Sequence, residues 1–289
     1  MRSTAYGSNN SGKAITIILC LLIIVAAIWA ATSDSAGGYI SEKIFKPLFS
    51  NTESLTTAPT VSNTPVTVPD NNVQASSNMV TTQIEYKAKT VYAIQIGAFS
   101  SYENAKSGAK DAVVYGGAGY VITTGGFHKL YTSAFLNESE AQSYKTSLIA
   151  EGVDACISRI EIDGVQLDIT ASQDQIDVIS SAHNTWLQSS EDLFDLVSRI
   201  EKNQVTTSQA KSELKDIHTA IQVSMTELST YKDLSNVTEK LYENLELCDE
   251  QLSSFLTASL SDAEISSSIK YLMIDFIYRF GQYANDISV

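Results

Sequence analysis

Sliding the chain 36 positions against itself lays AFSSYENAKS (98–107) over AFLNESEAQS (134–143), with Ala-Phe, Ala and Ser in register. A repeat this short, at a point where alternation gives way to helical spacing, means that one strand-to-helix corner is built twice. Ser100 with Glu103, and Asn137 with Glu140, each fit a capping box that satisfies the first free amides of a helix. The spacing predicts helices over about 101–115 and 138–151. Glycine breaks follow both, at 116–119 and at Gly152, and apolar stretches follow the breaks, at Tyr120 to Thr123 and Ala155 to Ile162. The order strand, helix, strand, strand, helix, strand predicts an α+β module. Its compact form is a βαββαβ unit, a four-stranded sheet with both helices on one face and the opposite face exposed.

Parity says what that second face carries, because alternate strand residues point to opposite sides. In YAIQIGAF (92–99), Tyr92, Ile94 and Ile96 suit the helix side, which puts Ala93 and Gln95 on the other. In FHKLYTSAF (127–135), Leu130 belongs to the core, so Phe127, Lys129 and Tyr131 turn outward. A glutamine, a lysine and two aromatic rings on one open sheet form a platform for a ligand. Spacing alone equally admits plain cross-strand packing of the aromatics.

Beyond Gly164 the pattern becomes helical. One stripe runs through Ile176, Ile179, Trp186, Leu193, Val197 and Ile200, a second through Leu214, Ile217, Ile221 and Leu228. A third links Val237, Leu241, Leu245, Cys248, Leu252 and Phe255, and a fourth links Ile265, Ile269, Leu272, Phe276, Phe280 and Tyr283. Capping pairs stand before them: Ser172 with Gln175, Thr206 with Gln209, Asn236 with Glu239, and Ser261 with Glu264. Four helices with short connections predict an all-α antiparallel bundle. In the last helix, IKYLMIDFIYRF is apolar or aromatic nearly all round, so this helix is either the most buried of the four or a docking surface.

The amino-terminal quarter differs in kind. AITIILCLLIIVAAIWAA (14–31) has Thr16 as its only conventional polar side chain. As a helix it would span roughly 27 Å, close to a bilayer's hydrocarbon thickness. No clean small-x-small site follows it, so it reads as an uncleaved transmembrane helix and not as a signal peptide. Lys13 abuts the span and the free amino terminus adds charge, so residues 1–13 form a short cytoplasmic tail with the bulk of the chain outside. All four prolines lie in the first quarter, and residues 50–82 are dominated by Ser, Thr and Asn. Residues 32–83 therefore read as a linker.

The formal charge is -14, and residues 170–289 carry 19 acids against 8 bases. Residues 90–162 carry 7 acids against 5 bases. A chain so acidic is repelled by nucleic acid and anionic lipid, and nucleic-acid binding is set aside. Cys20, Cys156 and Cys248 fall in three separate regions and form no disulfide framework. His128, His183 and His218 are scattered, and neither helical histidine has a glutamate three residues before it. No zinc-protease motif, nucleophile elbow or phosphate loop is present. The expectation is a binding protein without catalytic residues, metal or cofactor.

The stretch VYAIQIGAFSSYENA, the repeated corner and the closing EGVDACISRI together resemble a SPOR domain, the sporulation-related repeat of bacterial envelope proteins. The resemblance covers about a quarter of the chain. It implies a peptidoglycan-binding module over 84–165 that recognises glycan strands denuded of their peptide stems, as at division or sporulation septa, followed by an interaction domain over 170–289. It also implies a single-pass protein of the bacterial cytoplasmic membrane. Carried over by position, the family's glycan-contact glutamine falls on Gln95, and its aromatic and basic pair on Phe127 and Lys129. With Tyr131 these form the expected glycan-binding set. Two departures stand out: Ala98 where the family often has serine, and Ser133-Ala134 where it often has Gly-Pro. The alternative is an envelope scaffold that acts through protein contacts of the bundle, with a SPOR-like module that binds no glycan. The bundle's expected partner is another protein or a second copy of the chain.

Overall fold

The computed structural model describes residues 66–67 and 79–287, all within one compact unit. The expected tail, transmembrane helix and linker lie outside the described residues, except that 66–67 and 79–83 of the expected linker belong to strands. Among the described residues no helix is long and apolar enough to cross a membrane. The strands are β1 (Val66–Thr67), β2 (Met79–Tyr86), β3 (Lys89–Phe99), β4 (Tyr120–Thr124), β5 (Phe127–Phe135), β6 (Cys156–Ile162) and β7 (Val165–Ser172). The helices are α1 (Tyr102–Val114), α2 (Glu138–Ala150), α3 (Gln173–Glu201), α4 (Thr207–Leu228), α5 (Asn236–Thr257) and α6 (Asp262–Ile287).

Strands β4, β5, β3 and β6 form the four-stranded sheet in that order, all pairings antiparallel. As expected, α1 and α2 share one of its faces. Ile94, Phe135 and Ala141 make a buried cluster with Tyr92, Tyr144, Leu148, Ala155 and Ile157 under α2. Helix α1 lies so close that a Cβ at Gly108 would stand 3.2 Å from both Leu130 and Phe99. Asn137 caps α2 through Ser139 and Glu140 N–H, whereas the capping box expected at Ser100 is absent: Ser101 holds the N-cap position and makes no side-chain bond there.

A double irregularity interrupts β3 against β5. Gln95 pairs with Tyr131, which leaves Thr132 extra on β5, and Gly97 pairs with Leu130, which leaves Ile96 extra on β3. A bulge shifts side-chain parity by one residue. Gln95 and Ala98, three apart, therefore face the same way, and Ile96 is half-buried at the bulge instead of joining Ile94 in the core.

The helical pattern expected beyond Gly164 begins only after a further strand. Val165, Leu167, Ile169 and Ala171 are buried and their neighbours are not, the period of two that marks a strand. Strand β7 pairs antiparallel with the whole of β2 and parallel with β1, making a second sheet that runs directly into α3. The Ser172–Gln175 capping box opens α3 and Thr206–Gln209 opens α4. Helix α5 is capped one residue earlier than expected, by Ser235 with Thr238.

The four helices pack in a ring in which α6 closes against α3. Their directions alternate: His183 meets Tyr283 while Glu201 meets Lys270, and Lys211 reaches Ala258 while His218 meets Asp249. Helix α6 is buried on nearly every side because it has two partners. One side packs on α3 and α5, and the other lies against the four-stranded sheet, on the face opposite α1 and α2. The expectation of an open sheet face is corrected accordingly.

Candidate functional site

The face away from α1 and α2 can be read row by row from the strand register. Tyr120, Tyr131, Gln95 and Cys156 form one cross-strand row. Above it stand Ile122, Lys129 and Ala98, and above these Thr124 and Phe127. Below it stand Ala134, Ala93 and Ser158, then Val91 with Ile160 and Lys89 with Ile162. Gln95, Lys129, Phe127 and Tyr131 thus share one face, although the bulge, and not simple alternation, is what brings them together.

Helix α6 crosses this face on the diagonal. Near its start, Ser267 donates to the Gly117 carbonyl and Lys270 to that of Gly116 at 2.7 Å. Tyr271 meets Tyr120 edge-on with ring centroids 4.9 Å apart, and the Tyr120 hydroxyl donates to Asp275 at 2.9 Å. Further along, Gly281 passes Ile162 on the opposite edge strand so closely that a Cβ would stand 2.8 Å from its Cδ1. The small side chains of Ala93 and Ala134, both buried, let the helix settle onto the strands.

The covered part includes Tyr131, which is 2% exposed and places its hydroxyl 3.3 Å from Ser158 Oγ. Burial, above all, pushes its phenol pKa up, against a lowering contribution from the Ser158 hydrogen bond. Its expected role as an outward-facing sugar contact is corrected: the ring lies on the same face as Gln95 but is buried under α6.

What remains open is the upper part of the face. Phe127 is 51% exposed, and Gln95 and Lys129 are half-buried. The β4–β5 hairpin that presents Phe127 turns through Gly125 and Gly126 at φ 59° and 77°, a two-residue reversal with both central residues in the left-handed region. Among the described residues the Lys129 ammonium has no ion pair. The Gln95 amide is also uncommitted to any side chain among them. An exposed ring, an amide with donor and acceptor, and an uncommitted cation can hold a hydroxylated ligand: apolar C–H faces lie on the ring while hydroxyls and anionic substituents bond the polar groups. Cys156, exposed at the end of the Gln95 row, is a free thiol. Ala98 offers no hydroxyl, and Ser133 and Ala134 are buried beside the bulge, so neither departure adds a contact on the open part.

The two helical histidines are engaged within the helical region. His183 is buried between Ile179 and Tyr283, and His218 faces Asp249 at 2.7 Å. Among the described residues no group of three or more His, Cys, Asp or Glu side chains is placed to hold a metal ion.

Residues 88–159, from the start of β3, which holds Gln95, through most of β6, match the family model of the SPOR domain, a family of peptidoglycan-binding modules that are not catalytic. No curated protein and no solved structure matches the chain significantly.

Proposed function

We propose, from the premise that this chain carries a SPOR domain, that it binds peptidoglycan glycan strands stripped of their stem peptides through the open part of its four-stranded sheet. Gln95, Lys129 and Phe127 are the contacts, and the Phe127 ring carries the stacking. The observation that supports this most is the pairing of the family match with an uncommitted cation beside an exposed ring. Hydrolysing a stem peptide from the glycan liberates a carboxylate on the sugar's lactyl group, and Lys129 is the group that would pair with it. Intact glycan, with that carboxyl tied up in an amide, offers no such anion. The chain is further read as a single-pass protein of the bacterial cytoplasmic membrane with its bulk extracytoplasmic, acting where amidases split the wall at division or sporulation septa. The test is co-sedimentation of the full chain with sacculi before and after amidase treatment. Retention should rise on treated sacculi, and equal retention on both would contradict the reading.

A second reading has its own observation. Since α6 occupies much of the sheet face, the chain could instead act as an envelope scaffold that works through its helical region. That reading predicts no retention on either kind of sacculus, with localisation lost when the outer surface of α4 and α5 is altered.

A further inference from the structure

We propose that α6 supplies a side wall to the sugar-binding site, and that Tyr278 and Gln282 of this helix contact the bound glycan. The proposal rests on the glycan-binding reading above and deepens it. The stripe of α6 that meets the sheet runs through Ser267, Tyr271, Asp275, Tyr278 and Gly281, spacings of three and four that keep one helix face on the strands. Most of that stripe is buried. Tyr278 and its neighbour one turn on, Gln282, are only half-buried. They stand four residues apart, on the same side of the helix.

Their place on the diagonal makes them a border. The Tyr278 ring lies 6.3 Å from that of Tyr120, and its phenol is near enough to Tyr131 to bear on the latter's ionisation. Tyr120 and Tyr131 begin the row that continues into Gln95 and Cys156. As α6 moves off towards Ile162 it leaves the Gln95 and Cys156 end of that row, and the half-buried Ser158 and Ile160, beside its exposed edge. The open surface is therefore a corner with two sides. Its floor is Gln95, Lys129 and Phe127 on the strands, and its wall is a phenol and an amide on the helix.

A corner selects differently from a plane. Four strands span about 14 Å and the five residues from Tyr131 to Phe127 about 13 Å, so the floor accommodates only a few sugar units. The wall blocks continuation of a strand over the lower half of the sheet. It also offers a second ring and a second amide to the sugar edge that a flat sheet would leave in water.

The test measures affinity of the full chain for glycan strands released from amidase-treated sacculi, comparing wild type with Tyr278→Ala, Gln282→Ala, Gln95→Ala and Phe127→Ala. Tyr278→Ala and Gln282→Ala should each weaken binding by roughly three- to tenfold, as truncation of contact residues does, with the melting temperature close to wild type. Gln282→Ala removes a half-exposed side chain and so decides the matter if Tyr278→Ala proves unstable. Wild-type affinity in both helix variants, with binding lost in the two strand variants, would overturn the wall and leave the flat-sheet site standing. Tighter binding by Tyr278→Ala would also overturn it, because α6 would then be an obstruction. No binding by wild type would overturn the glycan reading itself and the wall with it.

Discussion

The Tyr120 hydroxyl donates a 2.9 Å hydrogen bond to Asp275, tying the first residue of β4 to the middle of α6. Asp275 is 2% exposed, and its other oxygen accepts from Arg279. A carboxylate this deep needs both donors, because burying a charge is tolerable only when it is paired and hydrogen-bonded. The join between the four-stranded sheet and the helical region is thus polar as well as apolar.

Removing the donor alone should cost about 1.5–3 kcal/mol, the range for a hydrogen bond to a charged group. Removing the carboxylate should cost more, about 3–5 kcal/mol, because Arg279 is left without its partner. Urea unfolding of Tyr120→Phe and Asp275→Ala measures both. Two separate unfolding transitions in Asp275→Ala, one for the sheet and one for the helices, would show that this contact is what makes them unfold together.

His183 gives the chain a pH dependence of predictable sign. Its Nδ1 lies 2.9 Å from the Ile179 carbonyl, which can only accept, so Nδ1 carries the proton and Nε2 accepts from the Tyr283 hydroxyl. Burial, the dominant cause, lowers its pKa to about 4, with the Ile179 bond acting the other way. The unfolded chain then binds more protons than the folded one between about pH 6.5 and 4. This contribution to stability is whole above about pH 6.5 and falls away as pH drops to about 4, a loss of about 3 kcal/mol in all. Urea midpoints at pH 7.5 and 4.5, for wild type and His183→Phe, should show a smaller acid loss in the variant. Equal losses would place the sensitivity elsewhere.

Gly281 is required by contact and not by conformation. In a helix interior alanine should gain about 1 kcal/mol over glycine, yet a Cβ here would meet Ile162 Cδ1 at 2.8 Å. Gly281→Ala should therefore fail to stabilise. Ile162→Val deletes the colliding methyl, so the pair should show a favourable coupling of about 1 kcal/mol in a double-mutant cycle. Simple additivity would mean that Ile162 turns aside without cost.

The βαββαβ order, both module helices and four further helices were legible because each is announced locally, by a glycine break, a cap or a stripe. That Phe127 and Lys129 share a side of their strand was also legible from alternation, whereas their alignment with Gln95 on the neighbouring strand depends on the bulge. Three features escaped that reading. The bulge at Ile96 and Thr132 depends on how two strands fit together, although the Gly97 that follows it is a hint in the sequence. The strand Val165–Ser172 was legible in principle from VQLDITA, whose alternation was absorbed into the helical reading that follows. The covering of Tyr131 by α6 is a contact between residues far apart in the chain. The unusual apolarity of IKYLMIDFIYRF signalled a second buried side without saying what would bury it.

The most direct test of the glycan site is the affinity of the full chain for denuded glycan strands when Gln95 and Phe127 are both changed to alanine. Neither side chain is part of the buried core, so folding should persist. The account predicts loss of binding by about a hundredfold or more, with Lys129→Ala weakening it less and making it less sensitive to salt. Wild-type affinity in the double variant would contradict the account.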